Sequence, residues 1–168
     1  MKVVDQRNMV IRRYAKKDYE EIMKLFYETV HYINCRDYSP AQLDAWAPKR
    51  ENKERWKGSL ENNYAIVAEM KGLIVGFGDL TNGGCFDKLF VHKDFQRQGI
   101  ATAIAEEIEK HAFYAGLQEI HTEASITAQP FFLKRGYVVW REQQKPYQGE
   151  IFLNYFMKKQ IRGEPENS

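Results

Sequence analysis

A chain of 168 residues fits one compact domain, since domains commonly run to roughly 100–200 residues, and it is cramped for two. A hydrophobic content of 43%, with ten Phe, ten Tyr and three Trp, excludes a disordered or fibrous class. The net charge of +2, from 25 basic and 23 acidic residues, gives no electrostatic reason to expect nucleic acid or a membrane surface as a partner.

Residues 1–8 read as an N-terminal extension without the apolar run of a signal peptide, and residues 9–160 as a single domain. Met9 to Tyr14 is a short strand-like run, after which Asp18 offers an N-cap to a helix whose apolar positions Ile22, Leu25, Phe26 and Val30 recur at helical spacing. From Asn34 to Ser59 the chain is polar, with Pro40 and Pro48 and scattered Tyr38, Leu43, Trp46 and Trp56, which predicts short helices joined by irregular segments. Tyr64 to Glu69, a turn at Lys71-Gly72, and Leu73 to Leu80 predict a strand pair. Asn82-Gly83 then supplies two left-handed positions for a tight hairpin leading into Cys85 to Val91, so three antiparallel strands follow in succession.

From Gly99, the set Ala101, Ile104, Ala105, Ile108, Ala112 and Ala115 forms a stripe of helical period that Gly116 is placed to end. Glu119 to Ser125 reads as a strand, Gln129 to Arg135 as a short helix with Pro130 in its first turn, and Tyr137 to Glu142 and Ile151 to Met157 as closing strands. Residues 161–168 read as a solvated tail. The two cysteines, Cys35 and Cys85, have neither CxxC nor Cys/His spacing, so no disulfide framework and no metal site is expected. With no stretch near the ~18 apolar residues of a membrane span, the expected location is cytoplasmic.

The segment that carries chemistry is the passage from strand to long helix, Gln96-Arg97-Gln98-Gly99-Ile100-Ala101-Thr102. The first amides of a helix lack backbone partners and stand at the positive end of aligned peptide dipoles, so a phosphate can be held there with few side chains. Gly99 lets the backbone come close to an anion, Ala101 keeps the next turn clear, and Arg97 adds a mobile charge. A lone glycine at a helix start often does no more than ease a turn, so the surroundings decide. No GK[ST] follows a glycine, and Gly76-Phe77-Gly78 has Thr81 where a dinucleotide fingerprint has its third glycine.

Leu89-Phe90-Val91-His92 followed by Gln96-x-x-Gly99-x-Ala101 resembles the strand and pyrophosphate loop of the GNAT acyl-CoA N-acyltransferases, whose pattern is Arg or Gln, two residues, Gly, one residue, Gly or Ala. The opening Ile11-Arg12 with Asp18 and the later Ser125-x-x-Ala128-x-x-Phe131-Phe132-x-x-x-Gly136-Tyr137 resemble the rest of the family's layout, so the likeness covers Met9 to Lys158. It implies an α/β fold, strictly α+β: a mixed, mostly antiparallel seven-stranded sheet with helices on both faces, split where the cofactor enters. It also implies acetyl-CoA as co-substrate, its pantetheine arm paired with backbone of Leu89, Phe90 and Val91, its pyrophosphate on Gln96 to Thr102, and Ser125 and Phe132 near the thioester. Phe132 stands where the family commonly has a tyrosine that protonates the departing thiolate, and Ser125 replaces the usual asparagine.

The reaction implied is direct attack of a primary amine, expected on a small molecule, on the thioester in a ternary complex. An amine of pKa ~10 must lose a proton first, and a strand period of two puts Asp87 on one face with Cys85, Leu89 and Val91, making it the first candidate base. The alternative for Asp87 is a structural ion pair, and Glu123 and Asp79 rank behind it. His31 could reach an acceptor pocket or be a packed, hydrogen-bonded side chain; Tyr27, Tyr32, Tyr38, Trp46 and Tyr147 could line one or belong to the core. Lys88, Lys93, Arg97, Lys134 and Arg135 could help hold phosphates or sit on a solvated face. Two rivals stand beside this reading, a protein or peptide amine as acceptor and a CoA-binding regulator without turnover. A monomer or homodimer is expected.

Overall fold

The computed structural model describes residues 3–4, 8–50 and 52–162. Strands β1 (Val3–Val4), β2 (Met9–Arg13), β3 (Tyr64–Met70), β4 (Leu73–Leu80) and β5 (Phe86–Val91) form one antiparallel sheet in that order. Strands β6 (Glu119–Ser125), β7 (Val138–Tyr147) and β8 (Glu150–Gln160) form a second antiparallel sheet in the order β6-β8-β7. Seven strands of five residues or more, with the two-residue β1, thus give the expected mixed fold, divided into two sheets between β5 and β6.

Helices α1 (Tyr19–Tyr32), α2 (Pro40–Trp46) and α3 (Lys53–Asn62) precede β3, α4 (Ile100–Tyr114) links the two sheets, and α5 (Gln129–Lys134) follows β6. The first sheet is buried on both faces because its strands alternate two apolar sets. Ala65 and Val67 with Phe77 pack under α1 and α3, whereas Ile66, Ala68 and Leu80 pack under α4 with Ile104 and Ile108. Gly76 and Gly78 explain how closely α4 lies. A Cβ on Gly76 would sit 2.9 Å from Ile100 and Ile104 side chains, and one on Gly78 would sit 2.9 Å from Ile104 and from the Lys88 carbonyl. Their role is helix-on-sheet packing, not a nucleotide loop.

Local structure departs from expectation at four places. The Lys71-Gly72 turn is left-handed at both residues, but the hairpin after β4 is not: Gly84, not Asn82 or Gly83, carries the positive φ of 90°. Thr81 explains the change, since its N–H donates to the Cys85 carbonyl and its Oγ1 accepts from the Cys85 N–H, which closes a three-residue loop ending in a left-handed glycine. Asp18 does not cap α1; its carboxylate accepts from Ala15 N–H at 2.8 Å, holding the 3-10 turn Lys16–Asp18, and takes a two-pronged bond from Arg12. Asp18 is therefore tied to β2, and burial works against its charge while Arg12 and the Ala15 amide more than offset this and hold the carboxyl below its ordinary range.

The closing hairpin is longer than its apolar residues predict, because Gln143, Gln144, Lys145 and Pro146 continue β7 as an exposed outer strand opposite Asn154 to Ile151. Pro146 is tolerated there since an edge strand need not donate on both sides. At the other end of the chain, Ile161 N–H donates to the Gln118 carbonyl at 2.8 Å, and residues 163–168 of the expected tail lie outside the described residues.

Candidate functional site

β5 and β6 run parallel and touch at one end only. Cys85 and His121 form a single bridge, His121 N–H donates to the Gly84 carbonyl at 3.0 Å, and Thr122 Oγ1 donates to the Phe86 carbonyl at 2.8 Å. Beyond Phe86 the strands part, and a cavity of about 1140 Å³ runs between Leu89–Val91 on one side and Glu123–Ser125 on the other. A volume of that order exceeds the ~300–1,000 Å³ of ordinary small-ligand pockets, so it can take a long carrier and a second molecule together.

One end of this cavity is the mouth of α4. Gly99 adopts φ 80° and Arg97 φ 59°, and the turn is fixed by Gln96, whose Nε2 donates to the carbonyls of Val91 at 2.8 Å and His92 at 3.2 Å. Ala103 N–H is the first in the helix to bond backward, to the Gly99 carbonyl at 3.1 Å. Among the described residues the amides from Gln98 to Thr102 have no backbone acceptor, and Gly99, Ile100, Ala101 and Thr102 line the cavity. Arg97 and Lys134 line it too, and neither has an ion-pair partner among the described residues, so cationic side chains flank an array of free donors. Gln98 is exposed and outside the cavity wall.

The middle of the cavity is β5. Val91 C=O is already taken by Thr29 Oγ1 at 2.9 Å and by Gln96, so the groups of β5 that alternate with the β4 ladder face the opening. Asp87 is not where a period of two puts it. Asp79 pairs with Lys88 but Leu80 pairs with Phe86, so Asp87 is the extra residue of a β-bulge, and Phe86 and Leu89 share the face turned to α4. The Asp87 side chain is 47% exposed, lines the cavity, and accepts from Lys88 Nζ at 2.7 Å. The other two Lys88 protons go to Asp79 at 3.0 Å and Ser59 Oγ at 2.7 Å. Burial alone would lower the Lys88 ammonium, but Asp79 and Asp87 outweigh it and hold it above its ordinary range. Asp79, fully buried, has its carboxyl pushed up by desolvation against the opposing pull of Lys88 and Asn63.

Two groups near the parting strands are chemically muted. Burial pushes the Cys85 thiol up to about 12, so it is no thiolate near neutral pH and no ready nucleophile. Phe132 is buried against Phe86 at 5.5 Å and Tyr137 at 5.0 Å, an apolar ring with no proton to give. Tyr137, behind it, donates to Glu109 at 3.3 Å and does not line the cavity. Ser125 Oγ accepts from Ala128 N–H at 3.0 Å, which starts α5.

The far end is an aromatic chamber. Trp46 stands 6.1 Å from Phe90 and 6.3 Å from Phe152, Trp56 stands 4.6 Å from Phe26, and Tyr38 and Tyr147 close the wall. Of the aromatic residues singled out in the sequence, Tyr38, Trp46 and Tyr147 come together here, while Tyr27 and Tyr32 do not line the cavity. Trp56, Phe26 and Phe152 escaped sequence reasoning because only packing brings their elements together. His31 is spent: its ring lies tilted against Tyr27 at 4.2 Å and its Nε2 meets the Ala47 carbonyl at 2.8 Å. Glu123 is held by Lys145 at 2.6 Å, Lys93 by Asp94 at 3.4 Å, and Arg135 by Glu109 at 2.8 Å.

The family model for the acetyltransferase (GNAT) domain matches residues 34–159. The chain belongs to the GNAT acetyltransferase family. It is an N-acetyltransferase, an acyltransferase whose co-substrate is acetyl-CoA. It is 32% identical to the "Uncharacterized N-acetyltransferase YafP" of Escherichia coli (strain K12) over 151 residues, 90% of this chain and 95% of that protein. Its fold matches the GCN5-related N-acetyltransferase of Rhodopseudomonas palustris with a TM-score of 0.86 at 29% identity, covering 89% of this chain and 94% of that one. The PaiA N-acetyltransferase of Thermoplasma acidophilum, solved in complex with coenzyme A, matches at TM-score 0.75 and 16% identity over 90% of this chain and 98% of that one, a likeness of fold. Among the described residues of this GNAT chain no helix is long and apolar enough to cross a membrane.

Proposed function

We propose that residues 9–160 transfer the acetyl group of acetyl-CoA to a primary amine of a small molecule by direct attack in a ternary complex. The observation that carries this reading is the continuity of one cavity from the mouth of α4, through the opening beside β5, to the aromatic chamber. The pyrophosphate would lie on the amides of Gly99 to Thr102 with Arg97 and Lys134 beside it, and the pantetheine arm along Leu89 to Val91. The chamber favours a small molecule over a peptide, because α2 and α3 close it with aromatic rings where an extended chain would need an open, hydrogen-bonding groove.

In the transfer the amine nitrogen bonds to the thioester carbon, an N–H facing the opening from β5 steadies the oxyanion, and the carbon–sulfur bond breaks as the thiolate leaves. The nitrogen gives up one proton, and Asp87 is the base we assign, its carboxylate held at the cavity wall by Lys88. No tyrosine hydroxyl is needed at Phe132, since a thiolate whose thiol has pKa ~8.5 leaves tolerably near neutral pH. At the parted strands the oxygen of Ser125 accepts a bond, and its O–H donates to no group among the described residues.

Calorimetric titration of acetyl-CoA followed by measurement of CoA release with small amines and with a short peptide tests the reading. Binding with release for a small amine and none for the peptide is the expected result. The buried Phe132 ring favours the second reading, a regulator that binds acetyl-CoA without turnover, and tight binding with no release for any amine would establish that instead. An Asp87→Asn variant with an undiminished pH–rate profile would remove Asp87 as base.

A further inference from the structure

We propose that Asn154 is the acceptor-binding residue, its side-chain carbonyl taking a hydrogen bond from the amine of an arylalkylamine whose ring lies in the aromatic chamber. The inference rests on the acetyltransferase reading above and narrows its acceptor. Asn154 sits on β8, the central strand of the second sheet, with Ser125 of β6 and Gln143 of β7 as its register partners. The strand period gives it the face of Phe152, two residues earlier, and both side chains line the cavity.

Its Oδ1 is buried and accepts no hydrogen bond, and among the described residues its Nδ2 donates to none. Two of the hydroxyls around it already donate elsewhere, while Ser125 accepts one bond and keeps its proton. Tyr38 donates to the Leu153 carbonyl at 2.8 Å and accepts from Ile126 N–H at 3.0 Å, Thr127 donates to Asp37 at 2.7 Å, and Ser125 Oγ accepts from Ala128 N–H. A buried carbonyl without a donor costs roughly 1–3 kcal/mol, a cost that a ligand N–H in the same place would remove.

The charge of the site selects the form of the ligand. A carboxylate would stabilise an ammonium and keep its nitrogen protonated, whereas a neutral carbonyl accepts one N–H and leaves the lone pair free for the thioester. The carboxylates that line the cavity are already paired, Asp87 with Lys88, whose Nζ stands 5.1 Å above the Trp56 ring, and Glu123 with Lys145. The walls of Trp46, Trp56, Phe90 and Phe152 take a flat apolar group, and the register of Asn154 with Ser125 puts the amine end beside the parted strands.

The test uses the full chain, phenethylamine as probe, and the variant Asn154→Leu, which keeps the volume and removes the amide. The expected results are a melting temperature equal to or above that of the wild type, an acetyl-CoA Kd within twofold, and a phenethylamine KM raised about tenfold, the effect of one lost hydrogen bond near 1.4 kcal/mol. Asn154→Asp should move the pH optimum of phenethylamine turnover to the alkaline side, because the new carboxylate holds the amine protonated to higher pH. A lower melting temperature for Asn154→Leu would mean a structural role, a parallel loss of acetyl-CoA affinity would mean that the amide serves the cofactor, and an unchanged phenethylamine KM would leave it no role; each overturns the proposal. CoA release by the wild type with an alanyl peptide but not with phenethylamine would overturn the arylalkylamine while leaving acetyl transfer intact. Failure to bind acetyl-CoA would instead overturn the function proposed above.

Discussion

The two ends of the cavity are built from different materials. The α4 mouth is seven consecutive residues, Gln96 to Thr102, whose donors are main-chain amides aligned by the helix and fixed by one side chain, Gln96. The aromatic chamber draws on α1, α2, α3, β5, β7 and β8, and its donors and rings are side chains held by packing and by the buried Asp79–Lys88 pair. A site made of backbone tolerates changes of side chain but is strained by a branched residue where glycine holds a positive φ. A site made of side chains can be refitted residue by residue, but it fails when the framework that orients it loses a member.

Lys88→Met is the hardest blow to the second kind of construction. It leaves the Asp79 carboxylate buried without its cation, an arrangement that commonly costs ~3–5 kcal/mol, and urea unfolding should register a loss of that order. Adding Asp79→Asn should recover part of it; no loss in the single variant would show that the chamber is not held by this pair. Gly99→Val attacks the first kind. A branched residue in the left-handed region costs on the order of 1–2 kcal/mol, so acetyl-CoA should bind about tenfold more weakly by calorimetry, with turnover of saturated enzyme less affected. Unchanged affinity would move the pyrophosphate away from α4.

Trp46→Ala separates the ends: amine KM should rise severalfold while the acetyl-CoA Kd stays put, and a shift in both would show that the chamber and the mouth are not independent. The smallest effect belongs to Glu109→Gln, outside both ends. Burial raises the Glu109 carboxyl, but Arg135 and Lys159 more than offset this and hold it below its ordinary range. The folded carboxyl therefore takes a proton less readily than the unfolded one. Its stabilisation is complete above the usual carboxylate pKa of ~4.3 and is lost as pH falls through the depressed folded value. Melting curves of wild type and variant should differ at pH 7 and converge only once the pH has fallen below the depressed folded value, with cofactor affinity equal throughout.

How far the sequence could be read follows the same division. The strands around Lys71-Gly72, the span of α4 and the turn at Gly99 that opens it were legible because each rests on neighbours in the chain: a turn needs left-handed residues, and a helix needs a stripe of period 3.6. Asp87 was placed on the wrong face because a bulge is set by how two strands pair and not by either alone. The length of β7 was missed because an exposed strand needs no apolar alternation.

By itself, then, the sequence determined the family's layout and the mouth of α4 with its free main-chain amides, since those features are properties of consecutive residues. Only the tertiary structure decided the chamber, the commitment of Asp87 to Lys88, and the unpartnered amide of Asn154. These depend on which side chains meet across elements as far apart as Phe26 and Asn154, and no local pattern records whether a polar group finds its partner when the sheets close.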